Sequence, residues 1–256
     1  MNRVPTGITD LDELIDGGFP RPATIGIMGD VGSGKSILCN QVAWNMLRKG
    51  FNVLYYTLDQ SFEDVIVSMD RFGWSTSEFL KNGQLRFVDV FSKGMELIAE
   101  KTKENQIEDI AIDADRMGAI PISLRDMIMM GREHYFKAVF GRDLLIVFDS
   151  LSPLFSMLDQ IEVLKFLRAA NYACRISNGI GIATLHTGIH SSQVENACQQ
   201  IADGVIEMRR VMEGGSILRT VRIVKMSKTK IFEEYCPIEI TSTGVVVHRI
   251  PIGLRR

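Results

Sequence analysis

At 256 residues, 46% hydrophobic and 23% charged, the chain has an ordinary globular composition and is long enough to bury a substantial core. A net charge of -2 excludes a global pull toward nucleic acid or an anionic membrane, and no run approaches the roughly 18 apolar residues of a membrane helix. Four cysteines without C-x-x-C spacing read as reduced core thiols; with an opening "MNRVPTGITD" that has no apolar leader, they point to the cytoplasm.

In chain order, "TGITDLDELIDGGFPRP" predicts a turn, a short helix and another turn. Thr9 is the expected N-cap, Leu11, Leu14 and Ile15 share a helical face, and Gly17-Gly18 and Pro20 stop the helix. The apolar "ATIGIMG" is a strand that runs into "GDVGSGKS", which fits the spacing G-x-x-x-x-G-K-[ST]. In such a loop the glycines let backbone N–H groups turn inward around phosphate oxygens. The expected nucleotide-binding set is Gly29, Asp30, Val31, Gly32, Ser33, Gly34, Lys35, Ser36 and Ile37. Lys35 reaches the terminal phosphates, and the Ser36 hydroxyl ligates Mg2+. The helix "SILCNQVAWNMLRKG" follows and ends at Gly50, so the motif has the strand–loop–helix context it needs.

A second strand, "NVLYYTL", reaches Asp59-Gln60, a helix runs from about Ser61 to Phe72, and "QLRFVDV" is a third strand. Phe91 to Gly141 reads as mostly helical, with Met127, Met129 and Met130 of an amphipathic stretch from Ser123 to Phe140 packing on the sheet. "DLLIVFDS" is the next strand, then a helix from about Gln160 to Ser177, then the strand "GIGIATLH". Beyond Ala202 the period changes to alternation, with "MEGGS" and "STG" as hairpin turns. The expected fold is α/β: a mostly parallel central sheet with a C-terminal antiparallel hairpin extension, one domain over residues 1–256.

Chemistry gathers at strand ends. Leu145 to Phe148 lead into Asp149, which can hold Mg2+ through water while Ser36 binds it directly. Gly29, Asp59, Asp149 and His186 all fall where ligands sit in open α/β sheets.

Five segments, "TGITDLDELIDGGFPRP", "GDVGSGKS", "LLIVFDSLS", "ADGVIEM" and "VRIVKMSKTK", resemble in order the motifs of single-domain KaiC-like ATPases of the RecA superfamily. "TLHTG" and "SEFLKNGQLRF" are similar to archaeal FlaH-type flagellar accessory ATPases. The resemblance implies a RecA-like P-loop NTPase core that binds ATP at the loop, often between subunits of a ring such as a hexamer. Two departures bear on activity. Where the family has two adjacent glutamates this chain has Asp59-Gln60, so weak hydrolysis is expected, with Asp59 orienting water; the alternative is a strand-end cap. In "KMSKTK" Lys225 is kept, Ser227 replaces an arginine and Lys228 is one step late. Lys225 is a trans-acting cation or a solvated strand residue. His186 stands where such proteins place a γ-phosphate sensor. A zinc pair with His190 is disfavoured by Gly188 and the lack of a glutamate after His186, while His134 and His248 look incidental.

Three functions remain open. One is a slow ATPase working as an assembly or regulatory switch through a protein partner. Another is a non-hydrolysing, ATP-bound scaffold. The third, a recombinase-like DNA binder, is disfavoured because "SLSPLFSMLDQIE" and "TGIHSSQVENACQQ", the expected DNA loops, hold no Lys or Arg. From Arg209 to Arg256 ten Lys/Arg stand against four Glu, which leaves a minor route through basic hairpins. A clock role needs a duplicated domain and is discounted.

Overall fold

The computed structural model describes residues 2–95, 127, 143–213 and 215–249. The expected helix from Ser123 to Phe140, with Met129, Met130 and His134, lies outside them apart from Met127, which is buried with Val88, Val90 and Leu144.

The chain runs β1 (Arg3–Val4), α1 (Thr9–Leu14), β2 (Phe19–Pro20), β3 (Ala23–Gly29), α2 (Lys35–Arg48), β4 (Asn52–Thr57), α3 (Phe62–Asp70), α4 (Ser77–Lys81) and β5 (Leu85–Asp89). It resumes with β6 (Leu144–Asp149), α5 (Ser152–Met157), α6 (Gln160–Ile176), β7 (Ile180–His186), α7 (Ser192–Ile201), β8 (Gly204–Glu213), β9 (Ser216–Met226), β10 (Cys236–Thr241) and β11 (Gly244–Val247). Nine strands form one sheet in the order β11-β10-β9-β8-β3-β7-β6-β4-β5. The pairs from β8 to β5 are parallel, and β9, β10 and β11 add on antiparallel, as the alternating C-terminal pattern predicts.

Strands buried on both faces read as continuous apolar runs. β6, "LLIVFD", is buried at every position. One face packs on α1, α2 and α3 through Leu11, Leu38, Val42, Met46 and Val65. The other packs on α5, α6 and α7 through Phe155, Val163, Phe166 and Val194. Ser61, Asp159 and Ser191 cap α3, α6 and α7, each accepting from backbone N–H groups of the first turn.

Four local expectations change. Thr9 is the first residue of α1, not its cap; Asp12 instead folds back to accept from the N–H groups of Thr6 (2.7 Å) and Gly7 (3.1 Å). Phe19–Pro20, expected within the turn after the helix, pairs antiparallel with Arg3–Val4, although the helix does end before Gly17-Gly18. The two stretches expected as DNA loops contain α5 and α7. Pro153 sits at the start of α5, where its missing N–H costs nothing. α7 buries only a narrow stripe, Val194, Cys198 and Ile201, which its polar majority hides in the sequence.

At the N-terminal end of β3 and β8, Asp203 ties the layers together. Its carboxylate accepts from Thr24 N–H (3.0 Å), Thr24 Oγ1 (3.2 Å), Asn171 Nδ2 (3.4 Å) and Arg175. Asp203 is largely covered whereas Arg175 is half exposed. Asp203→Ala should therefore cost about 2–3 kcal/mol in urea denaturation by stranding covered donors, and Arg175→Ala under about 1 kcal/mol.

Candidate functional site

β3 runs between β7 and β8, and the chain leaves the sheet at Gly29. A Cβ on Gly29 would lie 1.8 Å from the Met208 carbonyl oxygen of β8, so only glycine fits there. The next residue donates from Asp30 N–H to that same oxygen at 3.2 Å. The loop returns through Gly34, in the left-handed region with φ 101°, into the first turn of α2, which has no side-chain cap. Uncapped N–H groups at the start of a 14-residue helix can hold an anion.

Lys35 is buried, and its ammonium donates to the carbonyls of Gly29 (2.9 Å) and Asp30 (2.7 Å). Burial pushes its pKa down to about 8, and the nearby Asp149 and Asp30 carboxylates draw it partly back up. A bound anion would favour its charged form further. Val31 and Gly32 are exposed on the outside of the loop, Ser33 is fully buried with its hydroxyl unpartnered, and Ile37 packs on the core.

Asp149 ends β6 at 1% exposure, and three hydroxyls reach its carboxylate. Ser36 Oγ donates to Oδ1 at 3.2 Å, Thr184 Oγ1 to Oδ1 at 2.7 Å and the Tyr55 hydroxyl to Oδ2 at 3.1 Å. Tyr55 also lies 2.8 Å from the Asn40 side-chain amide. Ser36 and Asp149, the expected Mg2+ pair, are thus together. Their oxygen donors are the hard type that Mg2+ prefers. Among the described residues no group of three or more His, Cys, Asp or Glu assembles to hold a metal by itself.

Asp59 lies two residues past the end of β4; it is exposed, yet protein surrounds much of its carboxyl group. Burial, then repulsion from Asp149, raises its pKa to about 6, with Lys35 pulling the other way. His186 ends β7, where its N–H donates to Ser152 Oγ at 2.9 Å. Burial, reinforced by the Lys35 charge, holds the imidazole below its ordinary pKa, and its Nδ1 is enclosed without a hydrogen-bond partner. His190 tilts against Phe155 at 5.6 Å, and Glu195 accepts from Gly188 N–H.

Lys225 is elsewhere. It pairs with Val205 near the start of β8, whereas the loop meets Met208, three residues on. Ser227 donates to the Asp203 carbonyl, and the Lys228 carbonyl accepts from Arg3. Neither Lys225 nor Lys228 meets the loop of its own chain. Asn40, Tyr55 and Thr184 escaped the sequence reading. The sequence signal was slight: Thr184 and His186 are two apart on one strand, hence on one face.

A family model described as "ATPase: KaiC" matches residues 4–251. A UPF0273 protein of Sulfurisphaera tokodaii is 30% identical over 250 residues, spanning 96% of this chain and 82% of that protein. One from Aeropyrum pernix is 28% identical over 256 residues, spanning 97% and 94%. A solved KaiC-like protein of Pyrococcus horikoshii OT3 matches with TM-score 0.71 at 24% identity, covering 96% of this chain and 99% of that one; the likeness is one of fold.

The hydroxyls around Asp149 make a testable set. Tyr55→Phe and Thr184→Val each leave a buried carboxylate short of a donor and should cost about 2 kcal/mol in chemical denaturation. Ser36→Ala, at a partly open position, should cost less than about 1 kcal/mol. Equal losses would show that the three donors share the charge evenly.

Proposed function

Because this chain belongs to the KaiC family of ATPases, we propose that it binds Mg·ATP at Gly29–Ile37 and hydrolyses it slowly, as a nucleotide-dependent assembly or regulatory switch. The family implies nucleotide binding. The observation that carries the finer reading is the meeting of Lys35, Ser36 and Asp149 at the mouth of the loop, with Asp59 and His186 beside them.

In this reading the loop N–H groups and Lys35 bind the phosphates, and Ser36 and Asp149 hold Mg2+. Such an ion, when bound, would supply charge neutralisation to the polyphosphate. Asp59, with a pKa near 6, is mostly ionised at neutral pH and can orient water. Gln60 cannot accept a proton, which is the reason for slow turnover. The neutral imidazole of His186 is placed to sense the γ-phosphate and pass that state to Thr187–Ser191 and α7. Lys225 stands opposite Val205 and not beside its own loop, so any phosphate contact it makes would be to a neighbouring copy in a homo-oligomeric ring such as a hexamer.

The Asp59-Gln60 pair also favours a second reading, an ATP-bound scaffold that orders a surface for a protein partner without hydrolysis. DNA binding is disfavoured, since α5, α7 and their flanking loops present no Lys or Arg over residues 150–162 and 187–203. No helix among the described residues is long and apolar enough to cross a membrane, in keeping with a cytoplasmic site of action.

Single-turnover assays with radiolabelled ATP, run across protein concentrations, test the reading. Lys35→Ala should lose binding and turnover together. Asp59→Ala should keep binding and lose turnover by about a hundredfold. Turnover per chain that rises with concentration would place a neighbour's residue in the site. Tight binding without phosphate release in wild type would select the scaffold; normal turnover in Lys35→Ala would remove the loop from the active site.

A further inference from the structure

The hairpin β8–β9 runs past the loop and touches it repeatedly. Arg210 N–H donates to Asp30 Oδ2 at 2.7 Å, and its Nη1 to the Val31 carbonyl at 3.3 Å. Arg219 Nε donates to the Gly32 carbonyl at 3.2 Å. Arg210 and Arg219 are direct cross-strand partners, so two like charges stand opposite each other. Such a pair is unfavourable on an ordinary antiparallel ladder. Here both guanidiniums turn to one short stretch, Val31–Gly32, beside the Asp30 carboxylate.

We propose that Arg210 and Arg219 are positioning residues that preset the loop for polyphosphate by holding its carbonyl groups outward. In a trans peptide the C=O and the following N–H leave opposite edges of one plane. Fixing the Val31 carbonyl on Arg210 therefore sends the Gly32 N–H to the other side, and fixing the Gly32 carbonyl on Arg219 does the same for Ser33. The Ser33 N–H closes a turn onto the Asp30 carbonyl at 3.2 Å, which holds the loop in this curled shape. A loop already shaped for its ligand loses less conformational freedom on binding. Neither arginine need touch the phosphate. The inference rests on the reading of Gly29–Ile37 as a polyphosphate site.

The test compares ATP and inorganic tripolyphosphate binding by calorimetry for wild type, Arg219→Ala, Arg219→Lys and Arg210→Ala. Arg222→Ala is the control: the Arg222 side chain bonds Glu207 and lies over the Tyr235 ring, away from the loop. Melting of each unliganded protein reports folding separately. The expected result is affinity about tenfold weaker for both probes in Arg219→Ala and Arg210→Ala, unliganded melting near wild type, and an unchanged control. Arg219→Lys should stay weak, because an ammonium does not reproduce the Nε geometry. Full recovery in Arg219→Lys would overturn the proposal in favour of bulk charge. Wild-type affinity in both alanine variants would overturn it outright. If wild type itself binds neither probe, the phosphate-site reading fails and this inference fails with it; the two failures are thereby distinguished. Arg210→Ala removes a separate bond, so the question stays open to test even if one variant folds poorly.

Discussion

A carboxylate buried at the end of β6 is the constraint around which the rest is arranged. An isolated charge in such a place costs several kcal/mol, so Asp149 needs donors, and they come from three elements: α2, β4 and β7. That need fixes register. Tyr55 stands opposite Val147, and Thr184 follows the Ala183–Phe148 pair. Sliding either strand by one residue would turn its hydroxyl to the other face and leave the charge unsolvated. The apolar core would tolerate several arrangements of parallel strands; the carboxylate selects among them.

How much of this was legible depended on distance along the chain. The strand–loop–helix unit, the Asp149 strand end, the Ser61 helix start and both C-terminal turns are local patterns, and each is found where the sequence places it. The pairing of Tyr55 with Asp149 is not local. It depends on β4 lying beside β6, which no window of sequence contains. Lys225 shows the same limit. Its motif suggested a phosphate contact, but the direction of β9 sets it beside Val205, three residues short of the point where β8 meets the loop. A register shift between Val205 and Ile206 moves it again. The start of α1 is misleading for a simpler reason: Thr9 has the residue type of an N-cap, yet Asp12 ties down the turn before the helix.

The charge imbalance of the C-terminal quarter also resolves once the strands are in place. Glu207 accepts from Arg209, Arg222 and Tyr235, and both arginines lie over the Tyr235 ring. Those hydrogen bonds and charges hold Glu207 below the usual carboxylate range against its burial. On the opposite face Arg210 and Arg219 attend the loop. Four of the ten cations of that segment, Arg209, Arg210, Arg219 and Arg222, are therefore engaged with other groups of the chain.

The Tyr55 hydroxyl touches two acceptor-capable groups but owns a single hydrogen. Asn40 Oδ1 lies 2.8 Å away and Asp149 Oδ2 3.1 Å, so one hydrogen is shared between an amide oxygen and a carboxylate. The phenol thus links Asn40 on α2 to Asp149 on β6. Ser36 and Asn40 are one turn apart on the same side of α2, so the helix is moored to β6 at two points. One mooring is direct and the other runs through a phenol. Rotation of α2 about its axis would break both at once. A change in what surrounds the Asp149 oxygens is consequently felt along a full turn of the helix, as a torque rather than as a local adjustment.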